Sequence, residues 1–437
     1  MTFSLRRTAK PLARHLASPL ALAAVAALGL AGAHAPAAAQ KKEKPAPAAK
    51  ANHSKEFIAA YRSFETLSKA ATPDVAAMRA ALPGLLAAAK TPDDRHVAGQ
   101  AHVQVGNTAK DPALQLAGLE TMLASGRADP ARVGALTFAA AQLAYQGKDY
   151  DKTRTYAQKA IELGHTQGDP QLFVAESYFA QNRQAEGLQY LSDMIAAQRN
   201  AGKPVSEAVL KRALAVAYNA KLYPQARELS IAYARDFPNQ TSWGDAIAIA
   251  INSGRFQPPE MLDLLRLARQ TKTMRTDQQY LEYVETADAR RLPAEVLAVI
   301  DEGVAARQLN GNQQFIKDAR ALANARLKTD RTELAAFQRD AQAPNAKLVT
   351  VMAAADTLLS YGRYAEAEAL YARAATMPGA NQPLVMTRLG IAQAGQGKYE
   401  PAKASFDKVD GPRKQIADLW ALYVTQRAAG TVIAPAA

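Results

Sequence analysis

The side chains best suited to chemistry in this sequence are its histidines, and their spacing does not define a site. Only His96, His102 and His165 lie beyond residue 53. His96 and His102 are six positions apart, a spacing that suits neither one face of a helix nor a metal-binding pair. The chain has no cysteine, which excludes a thiol nucleophile and Cys-based zinc or redox sites. We therefore predict no metal site.

The acidic and glycine-containing segments also lack a catalytic arrangement. Asp93-Asp94 and Asp301-Glu302 are adjacent carboxylates, a residue type that general acid–base catalysis uses. They stand at helix starts or on polar faces, however, where acids are ordinarily solvated or stabilise the helix dipole. The segment 106–110 lacks the second glycine and the trailing hydroxyl residue of a phosphate-binding loop, and the chain has no Gly-x-Ser-x-Gly motif. The sequence therefore predicts a protein without catalytic residues or a cofactor, and so not an enzyme.

The first 39 residues have the three parts of a secretory signal peptide. Arg6, Arg7, Lys10 and Arg14 precede an apolar run over residues 16–33, and Ala37-Ala38-Ala39 supplies small residues for cleavage. We expect cleavage after Ala39 and a periplasmic protein. The alternative is a retained segment that anchors the protein in the membrane, facing the periplasm.

The charge of the chain does not indicate a nucleic-acid partner. The net charge is +13, with 40 acidic residues among the basic ones. The basic excess is not concentrated in one helix, and export separates the protein from cytoplasmic nucleic acid. We expect a solvated surface of mixed charge.

Proline and helix-start signals divide the rest of the chain. Residues 40–54 are rich in Lys, Pro and Ala and are predicted to be a disordered linker, because they hold too little apolar surface to fold. From residue 55 onward, capping residues stand before prolines, as in Thr91-Pro92, Asp111-Pro112, Asp129-Pro130 and Asp169-Pro170. We predict about twenty helices of roughly 12 to 18 residues, joined by short loops.

Two adjacent helix hairpins near the C-terminus share one residue pattern. The first has Gly362, Tyr364, Ala367, Tyr371 and Ala374, and the second has Leu389-Gly390, Gly397, Tyr399, Ala402 and Phe406. Tyr364 and Tyr399 are 35 positions apart, a period typical of helical arrays. In such arrays each hairpin buries its apolar face against the next hairpin. Small residues are needed where two helices cross closely, and aromatic rings fill the space between hairpins.

These residues resemble the tetratricopeptide repeat family, and weaker copies of the pattern extend the resemblance over residues 130–410. The resemblance implies an all-α fold: a right-handed α-solenoid of stacked antiparallel helix pairs. Residues 55–129 follow the helical rhythm without the motif and are predicted to be N-terminal helical pairs of the same solenoid. Residues 411–430 are predicted to form a C-terminal capping helix, and residues 431–437 a disordered tail.

In the family that the sequence resembles, the first helix of each pair lines a concave groove. Transferred position by position, the resemblance assigns to this groove Glu176, Phe179, Lys211, Tyr218, Asn219, Met352, Asp356, Leu359, Leu384, Thr387 and Ile391. As a set these residues describe a groove with aromatic and charged members, which suits a helix or an extended peptide.

Two functions fit these expectations. The first is a non-catalytic scaffold of the cell envelope that binds protein or peptide partners through the concave groove. The alternative is a scaffold that binds or exports an envelope polymer, peptidoglycan or exopolysaccharide, and resembles the helical superstructure of lytic transglycosylases. An aromatic-lined groove with paired acids would favour the alternative.

Overall fold

The computed structural model describes residues 51–435. The predicted signal peptide, residues 40–50 of the predicted linker and the last two residues lie outside this range. The described chain divides into two compact units, which meet in sequence at Pro204 and Val205. This boundary lies inside the region predicted as one run of repeats. Gly202, with φ of +64°, provides the left-handed turn that ends the helix before it.

Unit 1 consists of eight α-helices between residues 51 and 204. Their bounds are α1 Lys55–Ser68, α2 Val75–Ala88, α3 Pro92–Ala109, α4 Pro112–Ala124, α5 Pro130–Gln146, α6 Tyr150–Glu162, α7 Pro170–Phe179 and α8 Gln184–Asn200.

Unit 2 contains twelve α-helices and one short 3-10 helix between residues 205 and 435. Their bounds are α9 Glu207–Asn219, α10 Tyr223–Asp236, α11 Gln240–Ser253, α12 Pro258–Gln270, α13 Asp277–Ala287, α14 Pro293–Ala305, α15 Gln314–Gln342, α16 Leu348–Ser360, α17 Tyr364–Ala375, α18 Gln382–Gly395, α19 Tyr399–Phe406, the 3-10 helix η1 Gly411–Arg413 and α20 Lys414–Ala428.

Within each unit, every helix packs against the next one along the chain, so the predicted all-α fold of stacked helix pairs is confirmed. The helix starts follow the capping signals in the sequence. The side chains of Thr91, Asp111 and Asp129 accept hydrogen bonds from amides in the first turns of α3, α4 and α5. Asp169 is an exception, because it has a φ of +51° and makes no capping bond with its side chain. At 29 residues, α15 is much longer than predicted.

The repeated small and aromatic residues pack between helices as their types require. Ala367 and Ala402 are fully buried. The ring of Phe406 lies against Gly390, and the ring of Tyr364 lies against Gly395. A Cβ built on Gly390 would lie 2.6 Å from the Phe406 ring, so only glycine leaves enough room at this crossing.

The end of the predicted linker is held against α3. Asp94 is buried and accepts hydrogen bonds from the Ser54 hydroxyl at 2.8 Å, from His53 Nδ1 at 3.0 Å and from the Thr91 amide at 3.1 Å. Burial alone would raise the pKa of Asp94, but the hydrogen bonds from Thr91, Ser54 and His53 outweigh it and lower the pKa to about 2. Residues 53 and 54 therefore belong to the ordered part of unit 1.

In unit 2 the last helix also contacts the first ones. Helix α20 packs on α19 and reaches α10, α11 and α12. Gln426 accepts a hydrogen bond from the indole of Trp243 at 3.1 Å and donates one to the carbonyl of Ala234 at 2.8 Å. Ala434 pairs with Asn239 in an isolated bridge, so the segment predicted to be a disordered tail is held at this point. The C-terminal helix thus caps α19 and also closes unit 2 upon its own beginning.

We expect Gly390→Ala to destabilise unit 2, because the added methyl group overlaps the Phe406 ring. The free energy of unfolding, measured by urea denaturation, should fall by about 1 to 3 kcal/mol. Gly244→Ala is the matched control within α11, where the nearest atom to a new Cβ is 3.9 Å away. It should leave stability unchanged or raise it by about 0.5 to 1 kcal/mol. Equal effects of the two substitutions would contradict this packing.

Asp94 should make the stability of unit 1 depend on pH in the acid range. A carboxyl whose pKa is lower in the folded chain stabilises it above its unfolded pKa, and loses this contribution as the pH falls through the folded value. The stability difference between the wild type and Asp94→Asn should therefore shrink between about pH 4 and pH 2. Asp74→Asn serves as the control, because asparagine caps a helix as well as aspartate does. A difference that is constant over this range would show that the Asp94 carboxylate is not selectively stabilised.

Candidate functional site

The predicted groove residues of unit 1 are buried. Glu176 and Phe179 lie in α7, and each has less than a tenth of its surface exposed. The ring of Phe179 fills the space above Gly187, where α7 and α8 cross closely. Phe179 therefore fills the position between two helices that the motif assigns to an aromatic ring, and its side chain does not face a groove.

The three predicted residues of α9 are more accessible. Lys211 pairs with Glu207 at 2.7 Å, and its Nζ lies 5.7 Å from the centre of the Tyr233 ring. Tyr218 accepts a hydrogen bond from the Asn252 amide at 3.1 Å, and Asn219 is exposed. Their role in partner binding stays a prediction.

The predicted residues of α16 and α18 line the interior of unit 2. Leu359 and Ile391 border one cavity, and Asp356 borders a separate cleft. Thr387 is fully buried. Met352 and Leu384 are half-buried. The structure thus brings members of this set to one interior, but most of their surface is covered by the chain itself.

The centre of this interior is an ionic network built around Asp263 of α12. Its carboxylate lies 2.7 Å from Arg413 Nη1, 2.9 Å from Arg266 Nη1 and 3.4 Å from Arg388 Nε. Arg266 also forms a bidentate pair with Glu295, at 2.8 and 2.7 Å. Arg388 binds Asp356 at 2.6 Å. Three carboxylates thus face three guanidinium groups, and the network is neutral.

Neutral donors complete the network. The hydroxyl of Tyr283 donates to Glu295 at 2.6 Å, that of Tyr371 donates to Asp356 at 2.6 Å, and the indole of Trp420 donates to the Asp263 carbonyl at 2.9 Å. Burial by itself would raise the pKa of Asp263, but the surrounding guanidinium groups hold it below its ordinary value. The carboxylate of Asp263 is therefore ionised in the folded chain.

The resemblance missed most of this network because it assigns only first helices to the groove. Asp263, Arg266 and Glu295 lie on second helices, α12 and α14. One sequence signal was available, since Asp263 and Arg266 interrupt a run of apolar residues over 261–268 in which every residue is buried. A helix that is apolar on all sides is buried, so an acid and a base within it, such as Asp263 and Arg266, are expected to form a buried ion pair.

A cavity of about 270 Å³ lies beside the network. Its wall includes Leu359 and Ile391, together with Arg269, Tyr361, Tyr364 and Tyr423. Arg269 pairs with Glu302 at 2.7 Å. The cavity combines aromatic rings with polar groups, as small-molecule sites commonly do.

A cleft of about 540 Å³ separates the second half of α15 from α16 and the turn after α13. Leu334 and Phe337 provide apolar surface, and Arg290, Arg291 and Glu333 provide charges. Asp330 also borders this cleft and pairs with Arg326 at 2.8 Å. Burial raises the pKa of Asp330.

Unit 1 contains an open groove of about 530 Å³ between α3, α4 and α5. The floor is apolar and is formed by Val97, Ala101, Leu119, Met122 and Leu136. One side is a row of polar residues on α3, His96, Gln100, Gln104 and Asn107, spaced so that they share one helical face.

The polar groups along this groove differ in whether they have partners. Arg127 pairs with Asp93 at 2.8 Å, and Asp129 caps α5. Burial lowers the pKa of His96, which contacts the Gln100 amide at 3.3 Å and is therefore neutral at pH 7. Gln104, Asn107 and Arg132 are exposed, and their side chains have no hydrogen-bond or ion-pair partner among residues 51–435. The sequence analysis did not predict these residues, because residues 55–129 lack the repeat motif. The spacing of Gln100, Gln104 and Asn107, which places them on one helical face, was the available signal.

Neither metal ligation nor membrane insertion is indicated by the described helices. Across residues 51–435, no three His, Asp or Glu side chains cluster in a way that could hold a metal ion. Within the same range, no helix is both long and apolar enough to cross a bilayer.

Removal of the central carboxylate should strongly destabilise unit 2. Asp263→Ala leaves three buried guanidinium groups facing only two carboxylates, and we expect a loss of about 3 to 5 kcal/mol in the free energy of unfolding. Glu302→Ala breaks the more exposed pair with Arg269 and should cost less than about 1 kcal/mol. Urea denaturation of both variants measures the difference. Similar losses would mean that the network does not stabilise unit 2.

Comparison with known proteins assigns no family. No protein-family model matches the chain, and no curated protein is significantly similar to it in sequence. The resemblance to the tetratricopeptide repeat therefore rests on the residues of the repeats themselves, and the function must be inferred from the surfaces described above.

Proposed function

We propose that this chain is a non-catalytic scaffold that binds an extended segment of a partner protein in the groove of unit 1. The observation that carries the proposal is the pair of exposed amides, Gln104 and Asn107, which have no side-chain partner among residues 51–435 and stand beside an apolar floor. In unit 2, by contrast, the ionic network and α20 occupy the centre of the interior.

The side-chain amides of Gln104 and Asn107 carry the same hydrogen-bonding groups as a peptide backbone. Each side-chain amide of Gln104 and Asn107 offers both a donor and an acceptor, the pair of groups that every peptide unit presents. An extended peptide leaves these backbone groups unpaired, so the two surfaces can satisfy each other without a specific sequence.

The floor and the rim of the groove supply selectivity. Leu119, Met122 and Leu136 line the floor with less than a tenth of each side chain exposed, so the floor offers a peptide a small apolar contact. The exposed guanidinium of Arg132 forms no ion pair among the described residues, and it favours a peptide with a carboxylate near that end. The partner segment is therefore extended, partly apolar and acidic at one end.

The place of action is proposed from the first 39 residues. Their basic, apolar and small-residue parts support export, and with it a partner in the periplasm or cell envelope. Retention of this segment would instead tether the scaffold to the membrane.

The groove can be tested with peptides selected from a random library on the purified full-length chain. Affinities are then measured by fluorescence anisotropy. We expect the double variant Gln104→Ala, Asn107→Ala to bind about tenfold more weakly, and Arg132→Ala to weaken acidic peptides most, especially at low salt.

Gln158→Ala is the matched control, an exposed amide on α6 that does not line the groove. It should bind like the wild type. If no peptide is selected, or if selected peptides bind the groove variants and the wild type equally, the proposal fails.

A further inference from the structure

The cavity beside the ionic network is a second candidate site, independent of the peptide groove. Seven helices of unit 2 contribute to its wall, which are α12, α13, α14, α16, α17, α18 and α20. Among them, α12 supplies Arg269, α14 supplies Ala298, and α20 supplies Trp420 and Tyr423. These helices are cross-linked by the network, so the cavity is preformed.

The charges in the wall are already neutralised by neighbours. Arg266 pairs with Asp263 and Glu295, and Arg269 pairs with Glu302. An ionic ligand would have to break one of these pairs or remain without a counter-charge beside them, and both are costly. The wall therefore favours a neutral ligand.

Aromatic rings form much of the remaining wall. Tyr361 and Tyr364 are half-buried, so part of each ring remains accessible, and Trp420 and Tyr423 lie deeper, 5.7 Å apart in an edge-to-face arrangement. Aromatic faces pack against the C–H faces of a saturated ring, while hydroxyl groups at its edge can bond with polar groups of the wall. A saccharide ring offers this combination.

The size of the cavity limits the ligand. A volume of about 270 Å³ lies just below the lower end of drug-sized sites, near 300 Å³. It accommodates one ring, and any further rings must extend through the mouth into solvent.

We propose that this cavity of unit 2 binds a single ring of a neutral saccharide. The sugar packs on Tyr361 and Tyr364, and its hydroxyl groups bond with the charged but mutually paired side chains of the wall. This site gives the scaffold a second ligand besides a protein partner.

The test uses the full-length chain with maltose and N,N′-diacetylchitobiose as neutral probes and glucuronate as a charged one. Saturation-transfer NMR detects contact, and tryptophan fluorescence reports on Trp420 together with the other tryptophan, Trp243. We expect at least one neutral probe to bind, and glucuronate to bind more weakly. Ala298→Phe should weaken binding about tenfold or more, because this exposed residue of α14 borders the cavity and the added ring fills its mouth.

Ala305→Phe is the matched control, an exposed residue of α14 outside the cavity wall, and it should bind like the wild type. Thermal unfolding of both variants verifies that they are folded. Absence of saturation transfer to both neutral probes, tighter binding of glucuronate, or undiminished binding by Ala298→Phe would overturn the proposal. The double variant Gln104→Ala, Asn107→Ala should bind the sugar normally, so failure of the peptide groove and failure of this site are distinguishable.

Discussion

The buried carboxylate of Asp263 is the interaction on which the architecture of unit 2 depends. Removal of charged groups from water costs several kcal/mol per ion, and this cost is offset only where each charge meets a partner with good geometry. Asp263 meets Arg266 of its own helix, but Arg388 and Arg413 come from the other end of the unit. Arg413 of η1 and Trp420 of α20 also contact Asp263, so the network is complete only when the end of unit 2 packs against α12.

The two units share one architecture but differ in the side chains that face inward. Both stack helix hairpins through small residues and aromatic rings, as at Gly187 with Phe179 and Gly390 with Phe406. In unit 2 the side chains at the centre are long, charged and mutually complementary, and they leave only the cavity beside the network. The groove of unit 1 is lined by apolar and polar side chains, of which Gln104, Asn107 and Arg132 have no side-chain partner among residues 51–435, and its surface remains open. The chemistry of the inward residues decides whether such a stack presents a binding surface or a core.

Local signals in the sequence predicted local structure well. A capping oxygen before a proline fixes the start of α3, α4 and α5, because both effects act within one turn. The crossings at Gly390 and Ala402 were also predictable, since the residues involved recur with the repeat. The ionic network was not, because Asp263 is 125 and 150 positions from Arg388 and Arg413, and no local pattern records such pairings. The prediction for Phe179 was wrong in another way. The repeat position assigned it to the groove, but the space left by Gly187 on the next helix is filled by its ring.

The closure of unit 2 also determines the order in which the chain can assemble. Contacts of Gln426 with Trp243 and Ala234 span 183 and 192 positions, so they cannot form until residue 426 has emerged from the ribosome. Until then, the inward face of α12 remains hydrated, and Asp263 is not yet paired with Arg388 and Arg413. The early helices of unit 2 therefore remain incompletely packed until α20, a helix of 15 residues, docks on them and completes the fold.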